Sequence, residues 1–347
     1  MGKWWSLLFG GVMAACLLLF IVAPLVDWWM PEGVSSHAWR VDRLFYIILA
    51  ITGFFFVLTE AILVVFMWQY AAPQEKAHVF GHHAMEEKVY WTSFFKRAFR
   101  PVSALLHDQH RVELAWTLVP ALILLYIAFV QVSTWADVKY ASRVWNDRQR
   151  ETAPKFDDKQ IVHQVAIVAR QFEWRMRYPS LQRMKKWLED KDNPETQKDF
   201  ASFARHPQFD DIHLVNELHV WNEQPALVQL STLDVIHSFN LPHMRVKQDA
   251  LPGKTIPVWF TPIKVNTIKV TTKHNARTEH WEDGYNPKTK ERGDKRHVWD
   301  IACAELCGWG HYRMIGRIYV HESRDDFLEW LKTAEQENQK GKVASAK

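Results

Sequence analysis

HQVAIVARQFEWRMRYP, residues 163–179, decides how the polar part of this chain is read. It is rich in Val, Ile and aromatic residues and alternates in part between apolar and polar positions, the signature of strand rather than helix. The same texture recurs downstream in HLVNELHVWNEQPALVQLSTLDVIHSFNLP (213–242), KTIPVWFTPIKVNTIKVTT (254–272) and MIGRIYVHE (314–322), with Pro, Gly and Asn between the runs. Short runs of this kind predict an all-β sandwich or barrel. Two polar stretches interrupt it. Residues 183–200, RMKKWLEDKDNPETQKDF, and the residues to about 210 predict a short surface helix plus loop, and 272–297 a long polar loop. DDFLEWLKTAEQ, 325–336, predicts an amphipathic helix followed by a loose tail.

Upstream of the strands lie three apolar runs: Trp4 to Val26, Phe45 to Tyr70, and about Leu114 to Trp135. Each is long enough to cross a bilayer. The first also fits a signal peptide, since Lys3 precedes it, and MAAC at 13–16 hints at a lipoprotein cleavage site. Pro120 near the start of the third run is tolerable, because the first amides of a helix lack intrahelical partners. Residues 71–112 carry Lys76, Lys88, Lys96, Arg97, Arg100 and Arg111, which favours the cytoplasmic side for that loop. The third run then returns, and the polar domain after about residue 136 is expected outside. The organisation expected is a hydrophobic helix or signal segment at 1–30, a helical hairpin at 40–136, a β domain at 157–335 and a polar tail at 336–347. Glu60 falls about 15 Å from the Tyr70 end of its run, and a carboxylate at that depth must face protein or water.

The net charge of +4, without arginine-rich repeats or zinc-finger spacing, argues against a nucleic-acid partner. Of the three cysteines, Cys16 lies in the first apolar run, while Cys303 and Cys307 share the stretch ACAELCGWGHYRM, 302–314, with His311 and Met314. A second imidazole, His237, is available upstream in DVIHSFNLP. Two thiolates, imidazoles and a thioether form a soft ligand set suited to copper. Two thiolates can bridge two copper ions, and the Glu305 carbonyl between the cysteines is placed to reach one of them. A mononuclear blue-copper site would leave one Cys unexplained, a zinc site would waste Met314, and a bare disulfide would leave His311 and Met314 incidental. The histidines at 274, 280 and 297 match no familiar ligand spacing and read as solvated loop residues.

Three strings carry a resemblance: HRVELAWTLVP (110–120), DVIHSFNLPHMRVKQDALPG (234–253) and CAELCGWGHYRM (303–314). On these the chain resembles subunit II of the haem–copper oxygen reductases, the cytochrome c oxidase type, over roughly residues 40–335. The resemblance implies a transmembrane helical hairpin, here with an extra N-terminal hydrophobic helix, followed by an all-β cupredoxin sandwich. It implies that Cys303 and Cys307 bridge two coppers, with His237 and Met314 completing one, and His311 and the Glu305 carbonyl the other. It implies magnesium, shared with subunit I through the Glu305 carboxylate. It implies proton uptake at Glu113 and donor docking near Asp234. Many members carry Trp-Tyr-Trp at the first aromatic strand, the first Trp receiving the electron; here Phe172 takes that position and Trp174 keeps the inner one.

The activity implied is electron uptake from a cytochrome c-type donor and delivery to haem in subunit I, where oxygen becomes water. No CxxCH motif occurs, so no haem is expected in this chain and the donor is expected to be a separate protein. The expected location is a bacterial-type inner membrane, multi-pass, with the C-terminal domain outside. The rival readings are the copper subunit of a related nitric oxide reductase, a quinol oxidase subunit (a class that has generally lost the copper ligands) and a membrane-anchored copper carrier.

Overall fold

The computed structural model describes residues 2–26, 29–70, 109–139, 163–190, 192–271, 279–282 and 298–345. The chain divides into two compact units. One comprises Met1–Met30 and Arg43–Ser133, the other Pro31–Asp42 and Thr134–Lys347.

The first unit is built from three apolar helices: α1 (Gly2–Leu25), most of α2 (Ala38–Tyr70) and most of α3 (Gln109–Lys139). Each is long and apolar enough to cross a membrane. Large apolar side chains such as Leu18, Phe54, Leu124 and Phe129 are exposed on them, as expected of surfaces whose solvent is lipid. Gly10 of α1 faces Val64 of α2, and Phe20 packs edge-on against Trp29 with ring centroids 4.5 Å apart. Glu60 Oε2 is buried without a hydrogen-bond partner among the described residues. The loop at 71–108, whose lysines and arginines set the predicted orientation, lies outside the described residues.

The second unit is a sandwich of two five-stranded sheets. Its strands are β1 (His163–Arg170), β2 (Glu173–Tyr178), β3 (Ile212–Val215), β4 (Glu217–Trp221), β5 (Ala226–Thr232), β6 (His237–Leu241), β7 (Val246–Ala250), β8 (Ile256–Phe260), β9 (Ile268–Thr271), β10 (Glu279–Glu282), β11 (Asp300–Cys303) and β12 (Ile315–His321). One sheet runs β3-β2-β1-β5-β8 and the other β4-β12-β11-β6-β7. The β1–β5 and β12–β4 pairs are parallel and the remainder antiparallel. In β2, Trp174, Met176 and Tyr178 point into the core and Arg175 points out, while Arg177 on the other face is buried as well. β1 is buried along nearly its whole length, which explains why its alternation in sequence is only partial.

The two polar interruptions hold more structure than expected. The first forms two helices, α4 (Leu181–Glu189) and α5 (Pro194–Ser202), rather than one surface helix plus loop. Met184 and Trp187 of α4, with Phe203 just beyond α5, are fully buried. The charges that made the stretch look solvated are paired inward: Arg177 and Arg183 both bond Asp211, at 2.5 and 3.1 Å, and Arg183 and the Trp187 indole bond Asp199. In the second, β10 pairs with β9 as a two-stranded ribbon, so the expected loop contains a strand. Residues 272–278 and 283–297 lie outside the described residues, His274 and His297 with them, while His280 sits on β10. The C-terminal helix α6 runs Arg324–Ser345, further than the predicted 325–336. Phe327, Trp330, Leu331 and Ala334 form its buried stripe at helical spacing.

The segment ahead of α2 belongs to the sandwich unit. Val34 N bonds His243 O at 2.8 Å, Ser36 N bonds Thr261 O at 2.9 Å, and Arg245 pairs with Asp42 at 2.6 Å. Nothing in the polar stretch 31–42 distinguishes it in sequence from an ordinary linker.

Candidate metal centre

The donor set is assembled by two neighbouring strands and one loop. β11 ends at Cys303, which pairs in register with Phe239 of β6, and β6 begins at His237. The loop then returns: Ala304 N bonds Ser238 O at 3.0 Å and Cys303 N bonds Met314 O at 3.2 Å. A 3₁₀ turn at His311–Arg313 brings His311 and Met314 round to the cysteines.

The two Sγ atoms lie 3.8 Å apart. Cys303 Sγ is 3.8 Å from His237 Nδ1 and 3.3 Å from the Glu305 carbonyl oxygen. Cys307 Sγ is 3.5 Å from His311 Nδ1 and 3.9 Å from Met314 Sδ. Among the described residues, the donor atoms of His237, Cys303 and Cys307 lie within 4.8 Å of one another, close enough to share a metal ion. Burial, with Cys303 beside it, pushes the Cys307 thiol up to about 12 in the metal-free chain. A cation between the sulfurs supplies the charge that would let both deprotonate, so the donor chemistry fits copper.

The surroundings hold the donors in place. Asp234 Oδ1 lies 2.8 Å from His237 Nε2, and its Oδ2 accepts from the Gln171 amide at 2.7 Å. Against a burial that would raise it, the Gln171 amide and the His237 ring hold the Asp234 carboxyl below its usual range. With Nε2 bonded to the carboxylate, Nδ1 is left to face Cys303. Trp174 is fully buried and packs edge-on against His237 and Phe239, with centroids 6.2 and 5.4 Å away. Gln171 Nε2 donates to Cys307 O at 2.6 Å, clamping the metal loop to the turn before β2. Sequence reading missed Gln171, and it assigned Asp234 to docking, whereas its spacing three residues before His237 already allowed the pairing. Phe172 is half-buried against the loop, Glu305 is exposed, and Glu113 is exposed on α3.

Two family models match this chain: cytochrome c oxidase subunit II, transmembrane domain, over residues 92–133, and cytochrome c oxidase subunit II, periplasmic domain, over 164–268. Residues 92–133 and 164–268 thus match the cytochrome c oxidase subunit II family. It is a membrane protein with its C-terminal cupredoxin-like domain on the extracytoplasmic side. Similar proteins include the alternative cytochrome c oxidase subunit 2 of Bradyrhizobium diazoefficiens, 28% identical over 48% of this chain and 50% of that protein. They include cytochrome c oxidase subunit 2 of Thermostichus vulcanus, 31% identical over 33% of this chain and 25% of that protein. The probable cytochrome c oxidase subunit 2 of Rickettsia conorii is 24% identical over 72% of this chain and 61% of that protein. The chain thus spans half or less of the first two relatives and 61% of the third. Among solved structures, the periplasmic domain of subunit II of cytochrome oxidase of Bradyrhizobium japonicum is 21% identical, with a TM-score of 0.33 over 54% of this chain and 99% of that one. That superposition is too loose to bear on the assignment, which rests on the family models. The periplasmic match ends before the cysteine loop, so the loop's own geometry carries the case for a metal there.

Proposed function

We propose that this chain is the electron-accepting subunit of a proton-pumping terminal oxidase. It takes electrons from a separate cytochrome c-type donor and delivers them to a haem-bearing partner subunit that reduces oxygen to water. One observation carries the reading: two thiols 3.8 Å apart, each flanked by an imidazole, with a thioether and a backbone carbonyl completing the set. Two copper ions held there would supply a one-electron acceptor whose charge is shared between two metals, so little rearrangement accompanies its reduction.

The chain's residues do the remaining work. Cys303, Cys307, His237, His311, Met314 and the Glu305 carbonyl would hold the copper ions, and Asp234 orients His237. Trp174 excludes water beside His237, and Phe172 packs under the loop against Trp309. The exposed Glu305 carboxylate is available to a magnesium ion shared with the haem-bearing subunit. Glu113 on α3 takes up protons at the cytoplasmic end of the membrane helices.

The test is electron paramagnetic resonance with copper counting on the full chain in detergent. One unpaired electron shared between two coppers, with two coppers per chain, is the expected result. A one-copper signal would leave a mononuclear site and move the copper-carrier reading to the front. Cys303→Ser and Cys307→Ser should each abolish the shared-electron signal, and normal electron uptake in either variant would rule the role out.

A further inference from the structure

Trp309 stands out on the metal loop. It sits midway between Cys307 and His311, yet its side chain is 73% exposed. A large apolar side chain left in water contributes little to a core, but this one is firmly mounted. Its ring meets Phe172 edge-on at 5.2 Å, and the Arg313 guanidinium lies 4.5 Å over its centroid. The flanking residues, Gly308 and Gly310, press against Phe172 from the loop side. A Cβ on Gly310 would fall 2.5 Å from the Phe172 ring, and Gly308 has φ 128°, a conformation that favours glycine. The Gly-Trp-Gly sequence is therefore what allows the loop to seat on Phe172 and present the indole outward.

We propose that Trp309 is the residue at which the donor's electron enters this chain, and that Phe172 positions its indole. The proposal rests on the function proposed above and names the contact that function requires. Trp174 is fully buried and Phe172 is half-covered by the loop, so Trp309, packed on Phe172, is the ring of this stack that a partner protein can touch. Leu306 and Tyr312, 78% and 74% exposed, extend the apolar surface of the same loop. Charges on the residues flanking Phe172, on the loop and on Asp234, which bonds the Gln171 amide, balance in sign: Arg170, Arg175 and Arg313 against Glu173, Asp234 and Glu305. Recognition here is by apolar contact more than by steering, so it depends weakly on ionic strength. In the step itself one electron would leave the donor's ferrous haem, which would become ferric, and be taken up by the metal that the loop residues would hold. No bond forms or breaks and no proton moves.

The experiment compares the full chain in detergent with Trp309→Ala, Trp309→Phe and Phe172→Ala. Mitochondrial-type ferrocytochrome c is the protein donor and hexaammineruthenium(II) the small reductant. Binding of ferricytochrome c to the metal-free chain is measured separately. Trp309→Ala should lower the second-order rate of uptake from cytochrome c and raise the Kd of the metal-free chain, each by roughly ten-fold or more. Trp309→Phe should keep most of the binding. Reduction by hexaammineruthenium(II) and the copper resonance should be unchanged in both. Wild-type binding and uptake in Trp309→Ala, with both lost in Phe172→Ala, would overturn the proposal and place the contact on Phe172. Should the unaltered chain be reduced by hexaammineruthenium(II) but not by cytochrome c, the electron-accepting function itself fails, and this inference with it.

Discussion

Asp234 Oδ1 lies 2.8 Å from His237 Nε2, on the far side of the imidazole from Cys303. The carboxylate fixes which ring nitrogen faces the sulfurs, and the Gln171 amide fixes the carboxylate. Asp234→Ala removes this support without touching a donor atom. Copper affinity should fall about 10–100-fold, as when the carboxylate behind a ligating histidine is lost. A competitive chelator titration of the metal-loaded chain measures it. An unchanged affinity would return Asp234 to a purely surface role.

Asp211 is fully buried between Arg177 and Arg183. Asp211→Ala would leave the buried Arg177 guanidinium without its carboxylate partner and take one of two carboxylate partners from Arg183, which keeps Asp199. The expected cost is about 3–5 kcal/mol. Chemical denaturation followed by near-ultraviolet circular dichroism reads it, because Trp187 and Phe203 pack beside the pair.

Three imidazoles are buried beneath α6. His219 stacks on Trp330 at 3.8 Å and its Nδ1 lies 3.0 Å from His321 Nε2; His163 packs against Phe327 at 4.7 Å. Burial, with His219 nearby, lowers His163 to about 3, and burial holds His219 and His321 well below the usual range. Their folded values lie beneath the unfolded ones, so the unfolded chain binds more protons between about pH 6.5 and 3. The contribution to stability is complete above pH 6.5 and is lost as the pH falls through that window. Denaturation midpoints measured from pH 7 to pH 4 should drop steadily, and His163→Phe should flatten the slope.

Asn266 completes β12 where β11 runs out. Register pairing of β11 with β12 covers Ile315 to Arg317, and beyond it Asn266 Nδ2 donates to Ile318 O at 2.9 Å while Oδ1 accepts from Val320 N at 2.8 Å. Asn266→Ala would orphan two buried backbone groups, at about 1–3 kcal/mol each. Urea titration should show the loss, and hydrogen exchange should localise it to the Val320 amide.

The two regions of the chain were not equally legible. Membrane helices announce themselves because a lipid-facing span must be predominantly apolar over about 20 residues, and all three runs form helices somewhat longer than their apolar stretches. The strands were legible through Val, Ile and aromatic runs, and the metal loop through ligand types at short spacing. The 183–210 stretch misled because Arg183 and Asp199 look solvated in sequence, whereas here they pair with each other inside the fold, Arg183 also meeting Asp211 just beyond the stretch.

The sequence by itself determined the order of the parts and the identity of the soft donors, because both are local: hydrophobicity along a run, and Cys, His and Met within one loop. Only the tertiary structure decided that His237 meets Cys303, that Asp234 stands behind it, and that 31–42 straps onto the sandwich. These contacts join residues brought together by the β6–β11 pairing and by backbone bonds to His243 and Thr261. Pairing of that kind is set by sheet register and packing across the whole domain, which no local pattern of residues records.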